Sequence, residues 1–128
     1  MPSNPDRNLF EYAVVRFLPR VERKEFINIG LVMMCKRRRW IRVKVDVDSP
    51  RLHAFAPCAD LEALRSQLDA FCRVAAGCRG AIGELEPHER FRWLTAVRSA
   101  CLSTSRPHPG LTDDLDGTFD RLYTDLVE

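Results

Sequence analysis

Arg16, Arg23, Glu25 and Asn28 are the residues whose types and spacing could do chemistry, because all four interrupt a stretch from Tyr12 to Cys35 that is otherwise mostly apolar. A guanidinium on a buried strand face needs a carboxylate or a ligand anion, since an unpaired buried charge is costly. Glu25 is the carboxylate expected to pair near the first two strands, either with Arg16 across them or with Arg23. The Asn28 amide needs hydrogen-bond partners if it is buried. His108, set between Pro107 and Pro109, could be a turn residue or face a ligand in the same group. The group reads either as an ion-pair and hydrogen-bond cluster that fixes strand register, or as a binding site for a ligand or partner. In an enzyme, arginine would bind an anion and the carboxylate would act as a base. No catalytic residue is assignable.

A second constellation is basic. Lys36, Arg37, Arg38 and Arg39 run into Trp40, Arg42 and Lys44. Nucleic-acid surfaces use this mixture, with cations for phosphates and a ring for stacking. A solvated hairpin tip and an edge strand protected by charge have the same composition. His53, His88 and His108 lack metal-ligand spacing, and His53 with Cys58 matches no zinc signature. There is no nucleophile elbow, no Walker loop and no dinucleotide fingerprint. No metal and no cofactor is therefore expected.

The elements that must position these groups follow from pattern. A first strand is expected over 11–18, with Tyr12, Val14, Arg16 and Leu18 on one face and Ala13, Val15 and Phe17 on the other. Pro19 stops it. A second strand over 25–35 is apolar on both faces, which predicts a central strand covered on both sides; Gly30 marks a bulge or a close approach. A third strand over 40–47 alternates, with Ile41, Val43, Val45 and Val47 against Arg42, Lys44 and Asp46, and forms a hairpin with the second. Ser49 and Pro50 open a short helix, and Asp60 caps a longer one that ends at Gly77. Pro87 begins another. A fourth strand is predicted around 98–105, a turn over 107–110, and a final helix capped by Thr112. That helix carries a stripe of Leu115, Phe119, Leu122 and Leu126, which either packs on its own domain or is covered by a second chain. The order predicts an α+β domain: an antiparallel sheet of three or four strands with helices packed largely on one face.

The 128 residues suit a single globular domain over 1–128, with 1–8 frayed. No apolar run approaches the roughly 20 residues of a membrane span, and the N-terminus has no apolar signal core, so a cytoplasmic location is expected. Five cysteines, an odd number without a CxxC pair, read as reduced thiols. The net charge of +2 conceals an asymmetry: residues 1–45 carry +7 and residues 46–128 carry −5. The basic half either meets an anionic partner or pairs with the acidic half of its own chain.

The segments Tyr12-Ala-Val-Val-Arg-Phe-Leu-Pro19 and Arg23-Lys-Glu-Phe-Ile-Asn-Ile-Gly30 resemble the start of a small bacterial family known as domain of unknown function 3037. Arg90 to Ser99 and His108 to Asp114 resemble two later blocks of that family. Arg16, Pro19, Arg23, Glu25, Phe26, Asn28 and Gly30 match its leading motif. The resemblance implies a cytoplasmic bacterial protein, often encoded beside a HipA-like kinase, hence a kinase-associated or toxin–antitoxin setting. It implies no activity and supplies no catalytic residues. The expected function is a non-enzymatic protein-binding or regulatory module, with the HipA-like kinase or a second copy of the chain as partner and no membrane. Nucleic-acid binding through the basic hairpin is the alternative, and an enzyme with an anion site near Arg16 and Glu25 is third.

Overall fold

The computed structural model describes residues 7–19, 23–96 and 101–128. Three strands form a meander: β1 (Asn8–Phe17), β2 (Ile27–Cys35) and β3 (Trp40–Val45). Three helices follow: α1 (Pro50–Phe55), α2 (Leu61–Ala76) and α3 (Pro87–Ala96). The chain then returns through β4 (Leu102–Thr104) and β5 (His108–Thr112) and ends in α4 (Leu115–Leu126). The sheet is antiparallel with order β3-β2-β1-β4, and β5 also pairs with β1. β4 lies against Val15 to Phe17 and β5 against Asn8 to Tyr12, so together they cover the second edge of β1.

Two apolar cores flank this sheet. Ala13, Val15 and Phe17 of β1 join Ile27, Ile29, Val32 and Met34 of β2 beneath α1, α2 and α3. Phe10 and Val14 join Leu31 and Met33 beneath Phe119 and Tyr123 of α4. Three helices thus share one face, and α4 covers the other. The both-sided apolar character of β2 follows from its place between the two cores. No helix among the described residues is long and apolar enough to cross a membrane.

Local chemistry sets the helix starts. Ser49 accepts from the Leu52 amide at 3.1 Å, with proline following it at the first helical position. Asp60 accepts from the Ala63 amide at 3.0 Å. Three expectations need correction. Asn8 is not frayed: it opens β1, is buried, pairs with Thr112 and accepts from Arg38 Nε at 3.1 Å. Residues 1–6 lie outside the described residues. The expected turn over 107–110 is instead mostly β5, because an edge strand tolerates Pro109 without losing an interior ladder bond. The cap of α4 is Asp114, which accepts from the Gly117 amide at 3.0 Å; Thr112 instead accepts from the Asp114 amide at 3.0 Å. The fourth strand occupies only Leu102–Thr104 of its expected range, of which residues 98–100 lie outside the described residues.

Candidate functional site

A bulge between β1 and β2 builds the site. Val15 faces Gly30 but Arg16 faces Asn28, leaving Ile29 as the extra residue. Below the bulge Ile27 and Ile29 face the three-helix core, whereas beyond it Leu31 and Met33 face α4. Gly30 is required there, because a Cβ would stand 2.6 Å from Val45 Cγ1 and 2.8 Å from the Lys44 carbonyl oxygen. The bulge puts Arg16 and Asn28 side by side near the C-terminal end of α4.

Of the two arginines expected to compete for Glu25, Arg23 takes it and Arg16 does not. The Arg16 guanidinium carbon lies 4.2 Å from the Phe26 ring centroid, a cation–π contact. Its Nε is buried without a hydrogen-bond partner. Glu25 instead binds Arg23, with Nη2 to Oε1 at 2.8 Å and side chains 57% and 55% exposed, because both residues lie on the link outside the sheet. Asn28 Nδ2 donates to the Leu126 carbonyl at 3.0 Å, while its Oδ1 is buried without a partner. His108 is not brought to this group. It pairs with Tyr12, its ring 5.3 Å from the tyrosine ring, four positions along β1 from Arg16. At the rise of a strand that is about 13 Å.

Five further residues belong to the same region: Phe26, which the sequence marked only as part of the family-like leading motif, and Arg51, Phe55, Ser103 and Arg106, which it did not single out. Arg51 Nη2 donates to the Asn28 carbonyl at 2.9 Å and to the Val127 carbonyl at 2.8 Å, tying α1 to the end of the chain. Phe26 and Phe55 are exposed by 44% and 38%. They line a hollow of about 310 Å³ together with Ile27, Asn28 and Arg51. Phe26 is also a wall of a second hollow of about 360 Å³, lined by Arg16, Ser103, Ser105 and Arg106 among others. Ser103 is the cross-strand partner of Arg16, so β4 carries its hydroxyl to that place. The sequence signal for Phe26 was its place in the leading motif, directly after the charged run Arg23 to Glu25. Ser103 and Arg106 gave none, because only long-range strand pairing brings them to Arg16.

The basic hairpin is largely answered by the acidic half of the chain. Arg39 forms a forked pair with Glu86, Nη2 to Oε1 at 2.7 Å and Nε to Oε2 at 3.0 Å. Arg42 reaches Asp116 and Asp120, each at 3.1 Å, and its guanidinium lies 4.4 Å from the Phe119 ring centroid. Lys44 Nζ lies 4.3 Å from the Tyr123 ring centroid. The charged face of β3 is therefore roofed by α4. Trp40 packs against the core beneath α4. Lys36 and Arg37 are exposed at the turn and make no ion pair among the described residues. On the far side of β1, Arg92 Nη1 donates to Glu11 at 2.8 Å, and that contact pushes the arginine pKa up.

Among the described residues no group of three His, Cys, Asp or Glu could hold a metal ion. The five cysteines are free thiols; burial and the nearby Asp69 push the Cys72 thiol up.

Fold and site together define an α+β domain with a two-sided sheet and an aromatic, arginine-rimmed surface at one end of it. A family model described as a protein of unknown function, DUF3037, matches residues 12–127, and the chain belongs to that family. No curated protein and no solved structure matches it.

Proposed function

We propose that the protein is a non-enzymatic binding module that docks another protein on the face formed by Phe26, Phe55 and Arg51. The observation that carries this reading is the exposure of two large aromatic side chains on the walls of one hollow that an arginine also lines. Protein interfaces are enriched in aromatic residues and arginine, and such anchors supply most of their binding energy. Arg16, in contact with Phe26, extends the cationic rim, which suits a partner with an acidic border. Arg51 holds the end of α4 and Phe26 holds Arg16, so the anchors rest on a fixed frame. The first partner to test is the HipA-like kinase that the family resemblance implied.

The experiment is capture of partners by tagged protein from its native host, with mass spectrometry and a nucleic-acid stain, followed by binding of the purified HipA-like kinase. Phe26→Ala and Phe55→Ala each remove an exposed ring and should leave the fold intact. The expected result is a loss of partner affinity of about thirtyfold in either variant. Equal capture by wild type and both variants, or recovery of nucleic acid alone, overturns the reading.

A further inference from the structure

The hollow beside that face has a different chemistry. Arg16 and Arg106 both line it, so a space of about 360 Å³ has two arginines in its wall. Arg16 Nε is buried and has no acceptor. Thr95, Thr104 and Ser105 also line the hollow, but their hydroxyls are already engaged: Thr95 with the Phe91 carbonyl, Thr104 with the Thr95 carbonyl, and Ser105 with the Arg106 carbonyl and the Val14 amide. The Ser103 hydroxyl has no partner among the described residues, and Ser103 lies directly across from Arg16. What remains for a ligand is the Arg16 guanidinium, one serine hydroxyl and a second, exposed arginine.

We infer that this hollow binds a phosphate monoester. A guanidinium offers parallel N–H donors that match a phosphate or a carboxylate. Two arginines favour the dianion over a monocarboxylate, since a phosphate monoester carries roughly −1.5 to −2 at neutral pH. The Arg16 guanidinium carbon lies 4.2 Å from the Phe26 ring centroid, and this contact holds the group at the wall of the hollow. Glu25, the carboxylate that could have neutralised Arg16, is committed to Arg23. The inference rests on the docking reading only for the source of the phosphate, which a docked partner would carry on a side chain; the site itself stands apart from it.

The test is a titration of the isolated protein with inorganic phosphate, O-phosphoserine and acetate, followed by nuclear magnetic resonance of the arginine Nε–H groups and by thermal unfolding. Inorganic phosphate and O-phosphoserine are expected to shift the Arg16 signal downfield and to raise the melting temperature, with acetate much weaker. Arg16→Gln should weaken phosphate binding about tenfold to a hundredfold. Arg16→Lys keeps the charge without the fork and should recover only part of it. Should either change unfold the protein, Ser103→Ala and Arg106→Ala at the rim serve instead, each weakening phosphate binding. Acetate binding as tightly as phosphate overturns the assignment in favour of a carboxylate. An unmoved Arg16 signal, or unchanged affinity in all variants, overturns the site. Phe55→Ala does not touch Arg16, so loss of the partner with retained phosphate binding separates the two proposals. Phosphatase treatment of a captured partner tells the sources apart: release marks a phosphorylated side chain, and retention alongside phosphate binding marks a small phosphate ester.

Discussion

The Asn28 side-chain amide donates to the Leu126 carbonyl at 3.0 Å, so β2 holds a residue 98 positions further along the chain. That carbonyl is one of those a helix leaves unpaired at its C-terminus. Arg51 answers the next one, at Val127, and puts a cation where the helix dipole is negative. Asn28→Ala should therefore cost about 1–3 kcal/mol. Hydrogen exchange should quicken in the last turn of α4 while the β1–β2 amides keep their protection. Uniform quickening across the sheet would show that the bond serves the whole fold rather than the helix end.

Glu25→Gln should be close to neutral. Its pair with Arg23 is more than half exposed on both sides, and such pairs contribute about 0–1 kcal/mol. Chemical denaturation checks this, and a loss above about 2 kcal/mol would contradict an exposed pair.

Gly30→Ala should be severe for so small a change. The added methyl meets Val45 and a backbone oxygen of β3 that cannot swing away. A cost of about 1–3 kcal/mol is expected, with the β2–β3 amides losing protection first.

Nucleic-acid affinity, if measured, should respond weakly to salt. Lys36 and Arg37 are the cations of the hairpin run without an internal partner among the described residues, and two phosphate contacts give a logarithmic salt slope of about −2. A slope steeper than about −5, flattened when Lys36 to Arg39 are changed to serine, would restore the basic hairpin as a nucleic-acid surface.

Stability should fall on the alkaline side. Burial, Asp46 and Glu128 push the Tyr123 phenol above its ordinary value. The folded state thus holds this proton more tightly than the unfolded chain, so the contribution is complete below about pH 10 and is lost as pH rises through the folded pKa. The Cys72 thiol, also pushed up, acts in the same direction. Tyr123→Phe should make denaturation midpoints less sensitive to pH in that range, and an unchanged alkaline slope would assign the loss to other groups.

The legible parts of this chain were those governed by neighbours in sequence. Ser49 and Asp60 announce helices because a cap acts within three residues. The alternation of Ile41, Val43 and Val45 announces β3 because a strand has period two. The charged face of β3 gave no hint that Arg42 and Lys44 would lie on Phe119 and Tyr123, since cations read as solvated until a distant helix covers them. Pro109 and Gly110 look like a turn; Gly110 is in fact where the Phe10 ring lies across the strand, leaving no room for a side chain. The antiparallel α+β architecture was readable, but the pairing of Arg16 with Ser103 was not, and the candidate site depends on it.

The central position of β1 has a consequence during synthesis. Its second edge is closed by residues that leave the ribosome long after β1 itself; Val14 receives the Ser105 amide and donates to the Ser105 hydroxyl, 91 positions later. A nascent chain can fold the β1–β2–β3 meander early, with one edge of β1 open and the apolar face of Phe10, Val14, Leu31 and Met33 still bare. An open edge beside an apolar face is the combination that pairs wrongly with other chains. A stalled or clipped product ending before β4 is thus a natural substrate for holdase chaperones and proteases, and α4 is the piece whose arrival ends that exposure.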